Sequence, residues 1–235
     1  MERELGYALD MELVKTKLKG HIAALFAMEL TDPLTYLALG DSYTVGEAVT
    51  QQESFPYQLQ SLLKKAGVDV AAPRIIAKTG WTTDELKDAI GQAGLTTKFD
   101  LVTLLIGVNN QYRGYPLESY KKEFSELLQV AIGFAGGEKD NVFVVSIPDW
   151  GVTPFAAAEP KSQAVIGAEI DTFNAANREI TLAAGVAYTD ITPASRKALT
   201  ETGLIAGDGL HPGARMYGDW AEMLLPKIIA VLDKN

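Results

Sequence analysis

The sequence predicts a three-layer α/β domain with about five parallel strands, and three observations support this prediction. Short runs rich in Val, Ile and Leu alternate with longer segments of helical spacing, and no Pro-, Gly- or Ser-rich linker interrupts them. Strands that alternate with helices imply right-handed crossovers, and therefore a parallel sheet covered on both faces. In such a sheet, ligands bind beyond the carboxyl ends of the strands.

The strands are predicted where the apolar runs are short and continuous, as is typical of strands buried on both faces. Helices are predicted where large apolar residues recur every three or four positions. The predicted strands are 36–39, 74–77, 101–106, 142–147 and 186–189, and the predicted helices are 55–63, 120–132, 166–180 and 217–232.

The N-terminal residues 1–34 differ in composition from the rest of the chain. Apolar residues from Val14 to Leu25 recur at helical spacing, which predicts an amphipathic helical extension before a single domain at 35–235. Acidic residues such as Glu2 come first, whereas a signal peptide begins with positive charge. A cytoplasmic location is therefore expected, and a secreted or periplasmic one if the true start differs.

Composition excludes several classes of function. The 235 residues contain 21 Lys and Arg against 30 Asp and Glu, a formal net charge of −9, which argues against a nucleic-acid partner. The absence of cysteine excludes disulfides, thiol catalysis and cysteine-held metals. No apolar run approaches the roughly 20 residues of a membrane span. Of the two histidines, His21 is expected to be structural, which leaves His211 for chemistry.

A serine follows the first predicted strand directly. In Gly40-Asp41-Ser42-Tyr43, the glycine permits a tight turn that would expose the Ser42 hydroxyl. The alternative is that Ser42 only caps the next helix. Because position 44 is Thr, the segment does not match the G-x-S-x-G turn of α/β-hydrolases.

A carboxylate precedes the second histidine by three residues, in Gly207-Asp208-Gly209-Leu210-His211-Pro212. On a turn, this spacing places Asp208 against one ring nitrogen of His211 and leaves the other free to face a site. The alternative is a surface or core histidine. The two glycines and the proline favour a shaped loop and hence a functional role.

Two further strand ends offer hydrogen-bond donors for an oxyanion. Gly80 follows the second strand, and a glycine there lets the backbone N–H approach a substrate. Asn109 follows the third strand and carries a side-chain amide. Each residue alone is typical of an ordinary turn, but their shared position at the carboxyl edge favours a site.

Four segments in this order resemble the SGNH hydrolases, also called GDSL esterases or lipases, over residues 35 to about 220. The resemblance implies a flavodoxin-like fold that hydrolyses esters without a metal or an organic cofactor. The matching segments are Gly40-Asp41-Ser42, Gly80, Gly107-Val108-Asn109 and Asp208-Gly209-Leu210-His211.

The resemblance also implies a role for each matched residue. Ser42 would be the nucleophile, His211 the general base and then acid, and Asp208 the residue that orients His211. The oxyanion hole would comprise the backbone N–H groups of Ser42 and Gly80 and the side chain of Asn109. Esters would be hydrolysed through an acyl-enzyme.

Two positions depart from the family pattern. Tyr43 replaces the usual Leu, a change expected to affect packing alone. Asn110 replaces the usual Asp after the third-block Asn, which is expected to weaken a local anchoring hydrogen bond and so the placement of Asn109.

The substrate is expected to be a small-molecule ester with a small or short acyl group. Aromatic and basic residues near the strand ends are the candidates for binding it: Trp81, Tyr112, Arg113 and Trp150, with Tyr115 and Phe155 nearby. Lysophospholipase, thioesterase and carbohydrate O-acetylesterase activities remain open. A non-catalytic binding module, or an FMN carrier with 42–46 as its phosphate loop, is the alternative of a different class.

Overall fold

The structure is a computed structural model that describes residues 32–233, and the N-terminal helix predicted between Val14 and Leu25 lies outside them. The described chain forms one parallel sheet in the order β2-β1-β3-β4-β5, flanked by helices, which confirms the predicted three-layer fold. Its strands are β1 Tyr36–Gly40, β2 Arg74–Ala77, β3 Leu101–Leu105, β4 Val142–Val145 and β5 Ala187–Thr189.

Helices connect consecutive strands and close the chain. The four predicted helices are present, each within a few residues of its predicted ends. The described α-helices are α1 Ser42–Val45, α2 Phe55–Lys65, α3 Thr83–Ala93, α4 Val108–Tyr112, α5 Leu117–Phe134, α6 Gln163–Ala183, α7 Thr192–Ser195 and α8 Ala214–Leu232.

Short 3₁₀ turns complete the connections between these elements. They allow the chain to change direction within a few residues, and two of them follow β4 near the carboxyl edge of the sheet. The described 3₁₀ turns are Gln51–Glu53, Lys139–Asn141, Trp150–Val152, Phe155–Ala158, Arg196–Leu199 and Thr202–Leu204.

Helix α3 was not predicted, because only two large apolar residues, Leu86 and Ile90, are buried along it. Its ends nevertheless carry clear signals. Thr82 and Glu85 form a reciprocal capping box at its start, and Gly94 ends it in the left-handed conformation. Terminal signals therefore identify this helix better than hydrophobic periodicity does.

The core lies on both faces of the sheet. Every residue of β1, β3 and β4 is buried, which explains the continuous apolar runs in the sequence. Helix α2 packs against α8, and α5 packs against both α3 and α6. Trp220 on α8 is fully buried. Among the helices of residues 32–233, none is long and apolar enough to cross a membrane.

The strand order reverses between β1 and β3. The chain leaves β1 for β2 on one side and then returns past β1 to form β3 on the other side. Strand β1 is therefore flanked by β2 and β3, whose carboxyl ends lie beside its own. This is the location where open α/β sheets bind ligands, and the segments that contain Ser42, Gly80 and Asn109 all begin there.

Candidate active site

Ser42 is the first residue of α1, immediately beyond the end of β1. The Asp41 carboxylate caps this helix by accepting a hydrogen bond from the N–H of Tyr43 at 3.0 Å. A side chain at Gly40 would place its Cβ 2.4 Å from the carbonyl oxygen of Leu105, so only glycine fits there. The N–H of Ser42 begins the helix and has no intrahelical acceptor.

His211 bridges Ser42 and Asp208. Its Nε2 lies 3.0 Å from Ser42 Oγ, and its Nδ1 lies 2.6 Å from Asp208 Oδ2. The other oxygen of Asp208 accepts hydrogen bonds from the backbone N–H groups of Leu210 and His211, each at 3.0 Å. The Tyr43 ring meets the imidazole edge-on, with 5.7 Å between centroids. The imidazole is thus held on three sides.

The loop that carries His211 is closed by backbone hydrogen bonds. Ala206 N–H donates to the His211 carbonyl at 2.8 Å, and Phe155 N–H donates to the Gly209 carbonyl at 2.9 Å. Gly209 has φ of +74°, a conformation that favours glycine. The short distance between Asp208 and His211 therefore belongs to a defined turn.

Two carboxyl groups near the serine have shifted pKa values in opposite directions. Burial alone would raise the pKa of Asp208, but hydrogen bonds from the His211 ring and from two backbone N–H groups outweigh it and hold the pKa below its usual range. Burial raises the pKa of Asp41 to about 7 against the opposing hydrogen bond from Tyr43. The site therefore has one stabilised carboxylate and one destabilised carboxylate.

Gly80 and Asn109 lie on adjoining segments beside Ser42. The N–H of Trp81 donates to the Lys78 carbonyl at 3.2 Å, so Gly80 is the third residue of a turn and has φ of +86°. Asn109 Nδ2 donates to the Trp81 carbonyl at 2.9 Å. One N–H of this amide holds the turn, and the amide carries a second N–H.

Asn110 anchors the start of α3. It is fully buried, and its Oδ1 accepts the N–H of Thr83 at 3.1 Å. Its Nδ2 donates to Thr83 Oγ1 at 2.7 Å. The weaker anchoring expected from Asn at this position is therefore not found.

A cavity of about 140 Å³ opens beside the serine. Its polar lining consists of Ser42, Asn109 and His211. The remaining lining is apolar or aromatic, from Tyr43, Val108, Tyr112, Trp150, Phe155 and Leu210. Of the four candidate substrate-binding residues, Tyr112 and Trp150 thus line the cavity.

The aromatic side chains that line the cavity pack against one another, and a hydrogen-bonded chain through Gln111 fixes Trp150. The Trp150 ring lies edge-on to Tyr112, with 5.4 Å between centroids, and 6.1 Å from Phe155. Trp150 Nε1 donates to Gln111 Oε1 at 2.8 Å, and Gln111 Nε2 donates to Glu169 at 2.6 Å. No spacing in the sequence signals the role of Gln111, because its partners lie 39 and 58 positions away.

The other two candidates, Trp81 and Arg113, lie outside the cavity lining. The backbone carbonyl of Trp81 accepts the Asn109 bond, and its side chain is partly buried against the core. Arg113 Nη2 donates to the Gly80 carbonyl at 2.5 Å, and its Nη1 lies 3.2 Å from Glu85 Oε1. Trp81 is thus the last residue of the turn at Gly80, and Arg113 contacts that turn from α4.

Solved esterases share this fold. An esterase, EstA from Pseudoalteromonas sp., has a TM-score of 0.63 at 16% identity, covering 85% of this chain and 98% of its own. The acetylxylan esterase Axe2 from Geobacillus stearothermophilus has a TM-score of 0.62 at 18% identity, and the match covers 83% of this chain and 94% of that protein. A lipase/acylhydrolase from Enterococcus faecalis has a TM-score of 0.63 at 20% identity, and the match covers 84% of this chain and 96% of that protein. At these identities the likeness shows the fold alone.

Sequence comparison identifies the family. No curated protein sequence matches the chain significantly. The model of the GDSL-like lipase/acylhydrolase family, in contrast, matches residues 38–218. This range contains the last three residues of β1, strands β2 to β5 and all the residues from Ser42 to His211 described above. The chain therefore belongs to the GDSL-like lipase/acylhydrolase family.

Proposed function

We propose that residues 35–235 form a serine hydrolase of carboxylic esters with small acyl groups. One observation carries the proposal: Ser42 Oγ, the His211 imidazole and Asp208 Oδ2 form a continuous hydrogen-bonded chain with distances of 3.0 and 2.6 Å. This geometry is that of a nucleophile, a general base and a residue that orients the base.

The proposed reaction begins when His211 Nε2 removes the Ser42 proton as Oγ attacks the ester carbonyl carbon. The tetrahedral intermediate collapses, and the alcohol leaves with the proton held on Nε2. The product is an acyl-enzyme on Ser42. Water then adds by the same steps in reverse and releases the acid. Asp208, held ionised by its three donors, keeps the Nδ1 proton of His211 in place throughout.

The oxyanion is proposed to bind the N–H groups of Ser42 and Gly80 and the second N–H of Asn109 Nδ2. The positions of these groups support this assignment, because they follow three adjacent strands and Ser42 follows the central one, β1. Asn109 also lines the same cavity as Ser42. A single oxyanion donor is worth about 3–4 kcal/mol in well-studied enzymes.

The size of the cavity favours small acyl groups. Its volume of about 140 Å³ lies below the range of roughly 300–1,000 Å³ that drug-sized ligands occupy. Its buried Trp150 is fixed by Gln111. The wall therefore resists the movement that a long chain would require.

A carbohydrate O-acetyl ester is the second candidate substrate. Tyr112 and Phe155 line the cavity with 49% and 37% of their surface exposed. Exposed aromatic rings beside a small acyl site can stack on the faces of sugar rings.

The proposal is tested by measuring hydrolysis of p-nitrophenyl esters from acetate to octanoate. Wild type should hydrolyse acetate and butyrate fastest, whereas Ser42→Ala and His211→Ala should lose at least about 10³-fold in kcat. Ser61→Ala, an exposed serine on α2, is the matched control and should retain wild-type rates.

The same measurements define the results that would contradict this proposal. Turnover that survives in both site variants would exclude Ser42 and His211 from the chemistry. A preparation that hydrolyses no ester, or that carries a flavin absorbance, would favour a binding module or an FMN carrier. Preference for octanoate would favour the lysophospholipase or thioesterase alternatives, and release of acetate from acetylated xylan would support the carbohydrate candidate.

A further inference from the structure

Two side chains one helical turn apart grip the turn at Gly80. Asn109 lies in α4, and Arg113 is the residue at which this helix ends. Residues four apart lie on the same face of a helix. Asn109 Nδ2 donates to the carbonyl of Trp81 at 2.9 Å, and Arg113 Nη2 donates to the carbonyl of Gly80 at 2.5 Å. Consecutive carbonyls of the turn are thus bound by one face of α4.

Glu85 links Arg113 to the start of helix α3, which follows the turn at Gly80. Its Oε1 lies 3.2 Å from Arg113 Nη1, and its Oε2 accepts the N–H of Thr82 at 2.9 Å. The hydrogen bond from Thr82 lowers the pKa of Glu85, and the Arg113 contact adds to this effect. Arg113 therefore has an ionised partner that keeps its guanidinium directed at the turn.

The residues on either side of Gly80 have partners outside the turn, because Thr79 donates its hydroxyl proton to Glu47 and the Trp81 carbonyl accepts from Asn109. Gly80 itself has no side chain and the widest conformational range of any residue, so the contact with its carbonyl must come from a neighbour.

An oxyanion donor must lie within about 2.7–3.1 Å of the developing charge, so small displacements are costly. The peptide that follows Gly80 is planar and carries both the Gly80 carbonyl, bound by Arg113, and the Trp81 N–H, bound to the Lys78 carbonyl. With that plane fixed, the direction of the Gly80 N–H depends only on the two backbone dihedrals of Gly80.

We propose that Arg113 is a positioning residue of the oxyanion hole, which fixes the Gly80 N–H by holding the Gly80 carbonyl. This inference rests on the proposed function for its consequence in catalysis. It gives Arg113 a role different from the direct contact with substrate that the sequence suggested. In the described structure the guanidinium is engaged by Gly80 and Glu85 and lies outside the cavity lining.

The test compares Arg113→Ala and Arg113→Lys with wild type on p-nitrophenyl acetate. The Ala variant should lose about 10-fold to 100-fold in kcat with KM and Tm unchanged, because binding of the ground state does not use the oxyanion donors. Low millimolar guanidinium chloride, but not sodium chloride, should restore part of the loss. The Lys variant should be intermediate, since it keeps one donor.

Lys121→Ala is the matched control. Lys121 makes an exposed ion pair with Glu118, and its side chain is 37% exposed against 40% for Arg113. This variant should keep the wild-type kcat and show no response to guanidinium. The comparison separates loss of a surface cation from loss of the contact with Gly80.

Amide hydrogen exchange tests the same contact without any substrate. Residues 79–82 should exchange faster in Arg113→Ala, whereas β3 should be unchanged. Unchanged exchange, unchanged kcat, a higher KM at constant kcat, or a fall in kcat that guanidinium does not restore would each overturn the proposal. If wild type hydrolyses no ester, the proposed function fails, and the exchange data still decide whether Arg113 holds the turn.

Discussion

The side-chain amide of Asn110 makes two hydrogen bonds to Thr83, one to its N–H and one to its hydroxyl oxygen. The Thr83 hydroxyl proton is itself donated to the carboxylate of Glu123. Position 110 must therefore supply a donor to Thr83 Oγ1, and an amide does so whereas an ionised carboxylate does not. Asn at this position thus matches its partner instead of weakening the contact.

This relationship predicts that Asn110→Asp destabilises the protein by about 1–3 kcal/mol, because a buried carboxylate at position 110 and the half-buried carboxylate of Glu123 then compete for one hydroxyl proton. Glu123→Gln should suppress much of that loss, since Gln can donate to Thr83 Oγ1 and leave the hydroxyl proton for the carboxylate introduced at position 110. Urea unfolding of the two single variants and the double variant measures the coupling. Strictly additive effects would show that Thr83 does not connect the two residues.

Asp208→Asn should separate structure from chemistry. Its amide oxygen can still accept the backbone N–H groups of Leu210 and His211, so Tm should change little. Its NH₂ would donate to His211 Nδ1 and leave a proton on Nε2, which then cannot accept the proton of Ser42. We expect kcat to fall by about 10⁴-fold, as measured by active-site-titrated ester hydrolysis. Near wild-type kcat would show that Asp208 does not select the tautomer of His211.

Trp150→Leu should shift the preferred acyl length upward. The smaller side chain enlarges the cavity at its fixed wall, and each additional buried methylene contributes about 0.8 kcal/mol, or roughly fourfold in kcat/KM. The p-nitrophenyl series from acetate to octanoate measures the shift. Leu182→Ala, at an exposed position of α6 outside the cavity lining, is the control and should preserve the wild-type order. An identical order in Trp150→Leu would mean that this wall does not limit the acyl group.

Asp41→Asn should change how stability depends on pH. Burial raises the pKa of Asp41 from 3.8 to about 7, so between these values the folded state binds more protons than the unfolded state. Wild type therefore loses stability as pH rises through this window, by up to about 1.4 kcal/mol per pH unit. Asn keeps the acceptor for the Tyr43 N–H and does not titrate.

The measurement is urea unfolding of wild type and Asp41→Asn between pH 4 and pH 8. The stability of the variant relative to wild type should increase up to about pH 7 and then level off. Carboxylates with lowered pKa values, such as Asp208, have the opposite pH dependence, but both proteins share them and they cancel in the difference. A constant difference across the range would show that Asp41 does not titrate there.

Much of this protein is determined locally by its sequence. Strands buried on both faces must be apolar along their whole length, so β1, β3 and β4 are recognisable without a structure. Parallel strands place their carboxyl ends at one edge, which predicts that the segments of Ser42, Gly80 and Asn109 converge. The contact between Asp208 and His211, which are three positions apart, needs only a single turn of the chain.

The tertiary structure alone decided which distant side chains meet. Ser42 and His211 are 169 positions apart, and the contacts of Arg113 with Gly80 and of Asn110 with Thr83 cross between separate elements. Such contacts form or fail on differences of a few tenths of an ångström in the distance between atoms. Residue type and spacing in the sequence do not specify distances so finely. The cavity volume depends on packing in the same way. The residues available for the chemistry are thus visible in the sequence, and the task of each one is set by its neighbours in the fold.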